Sequence, residues 1–164
     1  MLVFEPLDRQ HDRAAFCCGE PALDGYLLAT ARQHADKGIS RTFVAVEQDQ
    51  AETIVGYFTL TVAEIPREHL PAKQKRRLPN TDLPVIKLAR LAVDSRFQGK
   101  GLGGVLLFEA LKRAAAAQAL TGAVAVIVEA KSERAASFYE QHGFLPLPDT
   151  PLSLCMSFAV IQSL

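Results

Sequence analysis

A single stretch of sequence decides the fold: Leu91-Ala92-Val93-Asp94-Ser95-Arg96-Phe97-Gln98-Gly99-Lys100-Gly101-Leu102-Gly103-Gly104. It begins with an apolar run that is typical of a buried strand, turns through closely spaced glycines, and continues into good helix formers. Glycine tolerates positive φ and lets a ligand approach the main chain, and the first amides of a helix lack intrahelical acceptors and attract anions. The stretch therefore predicts a strand–turn–helix unit that binds a phosphate or pyrophosphate.

The order of the glycines excludes two common phosphate-binding motifs. Lys100 precedes Gly101 and no Ser or Thr follows it, so the turn is not a P-loop. Gly99, Gly101 and Gly103 recur at every second residue, which differs from the fingerprint of dinucleotide-binding folds. A turn that serves only close packing of the helix on the strand is the alternative that this stretch leaves open.

Outward from the turn, strand-like and helix-like segments alternate along the chain. Hydrophobic patterning and turn residues predict strands at residues 2–7, 42–47, 54–63, 85–93, 123–130 and 152–160. Helices are predicted at residues 21–36 and 102–118, and from a cap at Ser132 through Tyr139. We predict that residues 48–53 form a hairpin turn and that 123–130 is a buried central strand. The sum is an α/β or α+β fold in a single domain, residues 1–164.

Composition excludes several classes of protein. The 164 residues are 49% hydrophobic, and the formal net charge is +0, so the chain is neither disordered nor a polycation coated by nucleic acid. No apolar run approaches the roughly 20 residues that span a bilayer, and no membrane partner is expected. Three cysteines suit a reducing cytoplasm, and the scattered histidines predict no metal site.

Two motifs resemble those of the GNAT acyl-CoA N-acetyltransferases. Gln98-x-x-Gly101-x-Gly103 after the strand 91–93 resembles motif A, and Phe138-Tyr139-Glu140-Gln141-His142-Gly143-Phe144 resembles the end of motif B. The resemblance implies the GNAT fold, with a bent mixed sheet of about six to seven strands and about four helices. Its central strands would splay apart to admit the pantetheine arm of acetyl-CoA.

The same resemblance implies the residues that hold acetyl-CoA. Main-chain groups at the end of the strand would pair with the acetyl–pantetheine arm, and amides of the turn would hold the pyrophosphate. The residues concerned are Leu91, Ala92, Val93, Gln98, Gly99, Lys100, Gly101, Leu102, Gly103 and Gly104. Many relatives have Asn where this chain has Ser132, which either hydrogen-bonds the pantetheine or only caps the helix.

Tyr139 stands where the resemblance places a general acid that protonates the departing thiolate. The alternative is a packed aromatic whose hydroxyl caps a strand. Glu64 is the best-placed carboxylate for a general base, against the alternative of a surface charge. An α-amino group titrates near about 7.7–8.0 and makes a dedicated base unnecessary, whereas a lysine amine near about 10.4 does not.

The N-terminal part narrows the resemblance. Phe16-Cys17-Cys18-Gly19-Glu20-Pro21-Ala22-Leu23-Asp24-Gly25-Tyr26-Leu27 resembles the opening of the acetyltransferase toxins of type II toxin–antitoxin modules. This implies acetylation of the α-amine of aminoacyl-tRNA, a ribbon-helix-helix antitoxin and a homodimer. Cys18 falls on the cysteine of that family, but no catalytic histidine partner stands beside it, so we interpret it as a packing residue. The alternatives are a GNAT enzyme acting on a small-molecule amine or a protein N-terminus, and a non-catalytic acyl-CoA-binding module.

A local excess of positive charge suits an RNA partner. Residues 67–77 hold five basic residues and one acidic residue, a local net charge of +4 in a neutral chain. Phosphate-rich acceptor stems attract such a surface, although a solvated helix face is the alternative. The candidate tRNA contacts are Lys73, Lys75, Arg76, Arg77, Lys87 and Arg90.

Overall fold

A computed structural model describes residues 1–164, with side chains for all of them except residue 151. The strands are β1 Leu2–Pro6, β2 Arg41–Glu47, β3 Gln50–Pro66, β4 Asp82–Val93, β5 Ala125–Glu129, β6 Leu145–Leu147 and β7 Thr150–Ser157. The helices are α1 Pro21–Ala29, α2 Ala31–Asp36, α3 Ala72–Lys75, α4 Leu102–Thr121, α5 Glu133–Gln141 and α6 Phe158–Ile161. Short 3₁₀ turns cover Arg67–His69 and Ser95–Phe97.

The strands form one mixed sheet in the order β1-β2-β3-β4-β5-β7-β6. β4 and β5 run parallel, while β1–β2, β2–β3, β5–β7 and β6–β7 are antiparallel. β5 is buried along all but its last residue and lies between β4 and β7. The predicted fold class and the buried central strand are therefore confirmed.

The chain divides into two compact units, and the first comprises residues 1–61 and 89–110. Its core includes Leu27, Val44 and Tyr57, all fully buried. Gly56 of β3 lies against the first turns of α4: an added Cβ would be 2.6 Å from Leu106 Cδ1 and 2.8 Å from the Ala92 carbonyl oxygen. No side chain fits there, so the glycine allows α4 to pack closely on β3.

The second unit comprises residues 62–88 and 111–164. Leu70, Leu83, Ala125 and Cys155 belong to its core. β4 pairs with β5 at Ile86–Leu88 against Val126–Val128. β4 itself continues to Val93, beyond the last of these paired residues.

Three details of the predicted secondary structure are wrong. The predicted helix 21–36 is interrupted at Thr30, whose φ of −122° is not helical. Threonine is β-branched and has a low helix propensity, because a helix restricts its side-chain rotamers. The last strand ends at Ser157, whose Oγ accepts a hydrogen bond from Val160 N and caps α6. A short apolar run does not distinguish strand from helix by periodicity. The structure accordingly has six α-helices, more than the four expected.

The hairpin between β2 and β3 is confirmed, but its turn is shorter than residues 48–53. Glu47 pairs with Gln50 in the antiparallel register, which leaves only Gln48 and Asp49 between the strands.

None of the helices in the described chain is both long enough and apolar enough to span a bilayer.

Candidate active site

The turn between β4 and α4 has the geometry that an anion-binding turn needs. Gly99 and Gly101 have φ of +80° and +79°, and no heavy atom lies within 4 Å of the position of an added Cβ at either residue. Conformation rather than space therefore requires glycine there. The first helical hydrogen bond of α4 runs from Val105 N to Gly101 O, at 3.4 Å, so the amides of residues 102–104 have no intrahelical acceptor.

The base of this turn is held by side chains. Gln98 Nε2 donates to Val93 O at 2.8 Å and to Cys18 O at 2.9 Å. Asp94 is 1% exposed and accepts hydrogen bonds from Arg96 N, from the Arg96 guanidinium and from Cys17 N. Burial alone would raise the pKa of Asp94, but these hydrogen bonds hold that pKa below its ordinary value.

The end of β4 is fixed in unit 1 together with the turn. Ala92 is buried, and Leu91 and Val93 are half-buried. Asp94 N donates to Val55 O of β3 at 2.9 Å, immediately after the last strand residue. The structure thus brings the predicted residues of the strand end and of the turn together in unit 1, while Ser132 and Tyr139 belong to unit 2.

Tyr139 is a buried ring with an accessible hydroxyl. It lies near the end of α5, is 8% exposed, and packs edge-on against Phe138 and Phe144. Within the described residues its hydroxyl has no hydrogen-bond partner, yet no buried polar side-chain atom there lacks one. The hydroxyl must therefore reach the surface. Burial raises the pKa of Tyr139 to about 12, above the value near about 10 of a free phenol.

The other two tyrosines use their hydroxyls inside unit 1. Tyr57 Oη donates to Leu23 O at 2.7 Å, and Tyr26 Oη bonds to Ser40 Oγ and His34 Nδ1. Both hydroxyls therefore have a structural role, which is the alternative that the sequence left open for Tyr139. In the described chain Tyr139 has no such bond.

Ser132 caps α5, because its Oγ accepts a hydrogen bond from Ala135 N at 3.2 Å. The cap that the sequence predicted is confirmed, and a contact with pantetheine stays a prediction. His142 Nδ1 lies 2.8 Å from Phe138 O at the end of the same helix, which suits a helix terminus. Burial raises the pKa of the Cys18 thiol to about 11, so this thiol is protonated near neutral pH and suits packing rather than nucleophilic attack.

Glu64 lines a cavity of about 250 Å³ in unit 2, together with His69, Lys87 and Glu129. Lys87 Nζ pairs with Glu129 Oε1 at 3.2 Å. Within the described residues the Glu64 side chain has neither an ion pair nor a hydrogen bond, so no neighbour orients its carboxylate as a base. No cluster of three or more His, Cys, Asp or Glu side chains in the described chain is placed to hold a metal ion.

The six candidate tRNA contacts differ in whether another side chain already contacts them. Arg67 Nε donates to Lys75 O and Leu78 O and so closes the segment around α3. Four candidate cations of that segment are exposed or half-exposed, and the described chain gives them no ion pair: Lys73, Lys75, Arg76 and Arg77. Lys87 is paired with Glu129, and the Arg90 guanidinium lies 3.5 Å from the centre of the Tyr26 ring.

Sequence reasoning missed Asp94 and the main chain of Cys17 and Cys18 as supports of the turn. An aspartate directly after a strand, followed two residues later by arginine, is a weak signal for such a support. The partner segment lies 77 residues away from Asp94 in sequence, and no local pattern reveals that contact.

The chain is similar in sequence and in structure to proteins that are already known. Residues 38–146 match the acetyltransferase (GNAT) domain. The tRNA-acetylating toxin of Mycobacterium tuberculosis is 36% identical over 145 residues, 88% of this chain and 85% of that protein. The structure of AtaT complexed with acetyl-methionyl-tRNAfMet has a TM-score of 0.90 at 32% identity, covering 99% of this chain and 98% of that chain. A mutant AtaT toxin bound to the C-terminus of the antitoxin AtaR and acetyl-CoA has a TM-score of 0.81 at 29% identity, covering 99% and 97%.

Proposed function

The chain belongs to the GNAT family of acetyltransferases, and on that premise we propose that it transfers an acetyl group from acetyl-CoA to the α-amino group of aminoacyl-tRNA. An acetylated amine is no longer a nucleophile for peptide-bond formation, so the protein would act as a toxin that inhibits translation. The observation that carries the proposal is the similarity of nearly the whole chain to AtaT in complex with acetyl-methionyl-tRNAfMet.

Acetyl-CoA supplies the activated acetyl thioester, and the turn of unit 1 suits its diphosphate. The amides at the start of α4 lack intrahelical acceptors, and the helix dipole favours an anion beside them. Gly99 and Gly101 leave that side of the turn open. We assign the diphosphate to the main chain of residues 98–104 and the pantetheine arm to the end of β4, residues 91–93.

Tyr139 is the proposed general acid. Its pKa of about 12 keeps the phenol protonated at physiological pH, and its hydroxyl is not used within the described protein. A free thiol has a pKa near about 8.5, so proton transfer from this phenol to a fully formed thiolate would be unfavourable. We infer that Tyr139 Oη gives its proton to sulfur as the carbon–sulfur bond breaks, and that the proton lost by the attacking nitrogen, which becomes acidic once it is bonded to the acetyl carbon, returns the phenolate to the phenol.

The proposed acceptor makes a general base unnecessary. An α-amine with a pKa near about 7.7–8.0 is substantially neutral at cellular pH. A lysine ε-amine near about 10.4 would need deprotonation by the enzyme. Glu64, the best carboxylate for that task, lacks a neighbour that orients it. This favours an α-amine over a lysine side chain.

The proposed contacts to the tRNA backbone are four cations that have no ion pair within the described residues: Lys73, Lys75, Arg76 and Arg77. They lie exposed or half-exposed in one segment around α3, and phosphate contacts of this kind depend strongly on salt. Lys87 and Arg90 stay weaker proposals, because each already contacts another side chain.

An antitoxin partner is part of the same proposal, since the related AtaT toxin binds the C-terminus of the antitoxin AtaR. From the resemblance we further propose that this antitoxin is of the ribbon-helix-helix type and that the toxin is a homodimer. A cytoplasmic location follows from a charged-tRNA substrate.

The test incubates the purified protein with acetyl-CoA labelled in its acetyl group and a panel of aminoacylated tRNAs, with the same tRNAs uncharged as controls. We expect label on the aminoacyl ester and none on uncharged tRNA. If the label reaches only a polyamine or a peptide N-terminus, that amine and not aminoacyl-tRNA is the substrate. Binding of acetyl-CoA without turnover on any amine would contradict the enzymatic assignment.

A further inference from the structure

The segment Cys17–Cys18 is bonded to the base of the turn through its main chain. Cys17 N donates to Asp94 Oδ2 at 3.1 Å, and Cys17 O accepts from Ser95 N at 2.8 Å and from Ser95 Oγ at 2.6 Å. Cys18 O accepts from Gln98 Nε2 at 2.9 Å. Every one of these bonds uses a main-chain atom of the cysteine segment, so the contact depends on its position rather than on its thiols.

This segment is itself fixed to the core of unit 1. Phe16, directly before it, is 5% exposed and packs edge-on against Tyr57, with ring centres 5.4 Å apart. Cys18 N donates to Asp24 Oδ1 of α1 at 2.9 Å. The turn is therefore tied to a segment that is packed in the core of unit 1.

Asp94 is the centre of the contact. Its Oδ1 accepts from Arg96 N and Arg96 Nε, both at 2.9 Å, and its Oδ2 accepts from Cys17 N and Arg96 Nη2. One buried carboxylate thus ties the 3₁₀ turn to the N-terminal segment, whereas the end of β4 is held separately by the main-chain bond from Asp94 N to Val55 O. Hydrogen bonds to an ionised group are the stronger kind.

The rest of the turn has no such support. Gly99, Lys100 and Gly101 are exposed, and the space beside the two glycines is empty to 4 Å. The base at residues 94–98 and helix α4 hold the two ends of this exposed stretch.

We propose that Asp94, acting through the main chain of Cys17 and of Arg96, is a positioning residue that aims the amides of residues 98–104 at the diphosphate of acetyl-CoA. It touches no substrate. The inference rests on the proposed function, since it assumes that the turn receives the diphosphate.

The test compares two acetyl donors. S-acetylpantetheine has the thioester but no diphosphate, so a misaimed turn should not affect its use. For Asp94→Asn, which places a donor where an acceptor is needed, we expect the Kd of acetyl-CoA to rise about tenfold. The kcat/KM for acetyl-CoA should fall by the same factor, whereas kcat/KM for S-acetylpantetheine should stay within about twofold.

Glu5→Gln is the matched control, because Glu5 Oε1 lies 2.7 Å from Nε2 of the buried His11 in the same unit, on the edge strand β1. It should lower thermal stability while leaving the Kd of acetyl-CoA unchanged. If Asp94→Asn fails to fold, Gln98→Met serves as the second variant, because it removes the hydrogen bonds to Cys18 O and Val93 O with little change of shape. It should show the loss of acetyl-CoA affinity that is expected for Asp94→Asn.

Wild-type affinity for acetyl-CoA in a folded Asp94→Asn or Gln98→Met variant would overturn the inference. An equal loss with both donors would also overturn it, because a general structural defect acts on both. Wild-type protein that fails to bind acetyl-CoA would overturn the proposed function, and this inference with it.

Discussion

The turn after β4 and the end of α5 hold their polar groups in opposite ways. At the turn, Asp94 and Gln98 fix the main chain through hydrogen bonds, and the exposed glycines beyond them carry no side chain at all. At the end of α5, aromatic packing holds the Tyr139 ring, and its hydroxyl has no partner within the described residues. One region offers main-chain donors in a fixed arrangement, and the other offers a single proton.

The difference indicates what each region tolerates. Of the twenty residues only proline removes a main-chain donor, so we expect acetyl-CoA binding at the turn to respond mainly to changes of backbone conformation or of its supports. A single hydroxyl can be removed without disturbing the packing around it. Substitutions should therefore separate affinity for acetyl-CoA from the rate of acetyl transfer.

The largest expected effect comes from Tyr139→Phe. This variant keeps the packed ring and removes the proton, so we expect kcat to fall roughly 10²–10⁴-fold with the Kd of acetyl-CoA unchanged. The control is Tyr57→Phe, which loses the bond to Leu23 O and should cost about 1–2 kcal/mol of stability without a change in kcat. Steady-state kinetics and thermal unfolding of both variants provide the measurement, and unchanged turnover by Tyr139→Phe would remove this residue from the mechanism.

The next effect concerns the exposed cations of the segment around α3. Replacing Lys73, Lys75, Arg76 and Arg77 by Gln should lower kcat/KM for aminoacyl-tRNA by roughly 10²-fold at low salt and flatten its salt dependence. Binding of acetyl-CoA should not change. The control removes the same charge at scattered surface positions: Arg9, Arg32, Lys37 and Lys131. Equal salt slopes for the two variants would contradict a role of the segment around α3.

A smaller effect should follow from Gly101→Ala, because an L-residue at a φ of +79° is strained. The turn would relax and misplace its amides, so we expect the Kd of acetyl-CoA to rise about tenfold while kcat at saturation stays near wild type. Gly38→Ala is the control, with a φ of +71° and equally open space in the same unit. It should lose similar stability and no affinity. If both variants bind acetyl-CoA equally well, then the affinity for acetyl-CoA does not depend on the backbone conformation at Gly101.

Much of the fold was predictable because its signals are local. The buried strand β5, the cap at Ser132 and the glycine turn each depend on residues close together in sequence, and the structure has all three. The break at Thr30 and the helix α6 were not predictable, since short apolar stretches fit either secondary structure and tertiary packing decides between them.

The candidate site divides in the same way. The residues of the turn and Tyr139 carry recognisable motifs, so their positions follow from the sequence. The supports of the turn do not, because Cys17 and Asp94 meet only after the chain has folded. Two of the six candidate cations also contact residues that no local pattern predicts. Lys87 pairs with Glu129, and the Arg90 guanidinium lies over the Tyr26 ring.

The most direct measurement is the amide nuclear magnetic resonance spectrum of the isotopically labelled protein during a titration with acetyl-CoA. If main-chain donors hold the diphosphate, the amide signals of residues 98–104 should shift most, and S-acetylpantetheine should leave them nearly unmoved. Saturable binding of acetyl-CoA that leaves those amides in place and moves signals elsewhere would contradict the account.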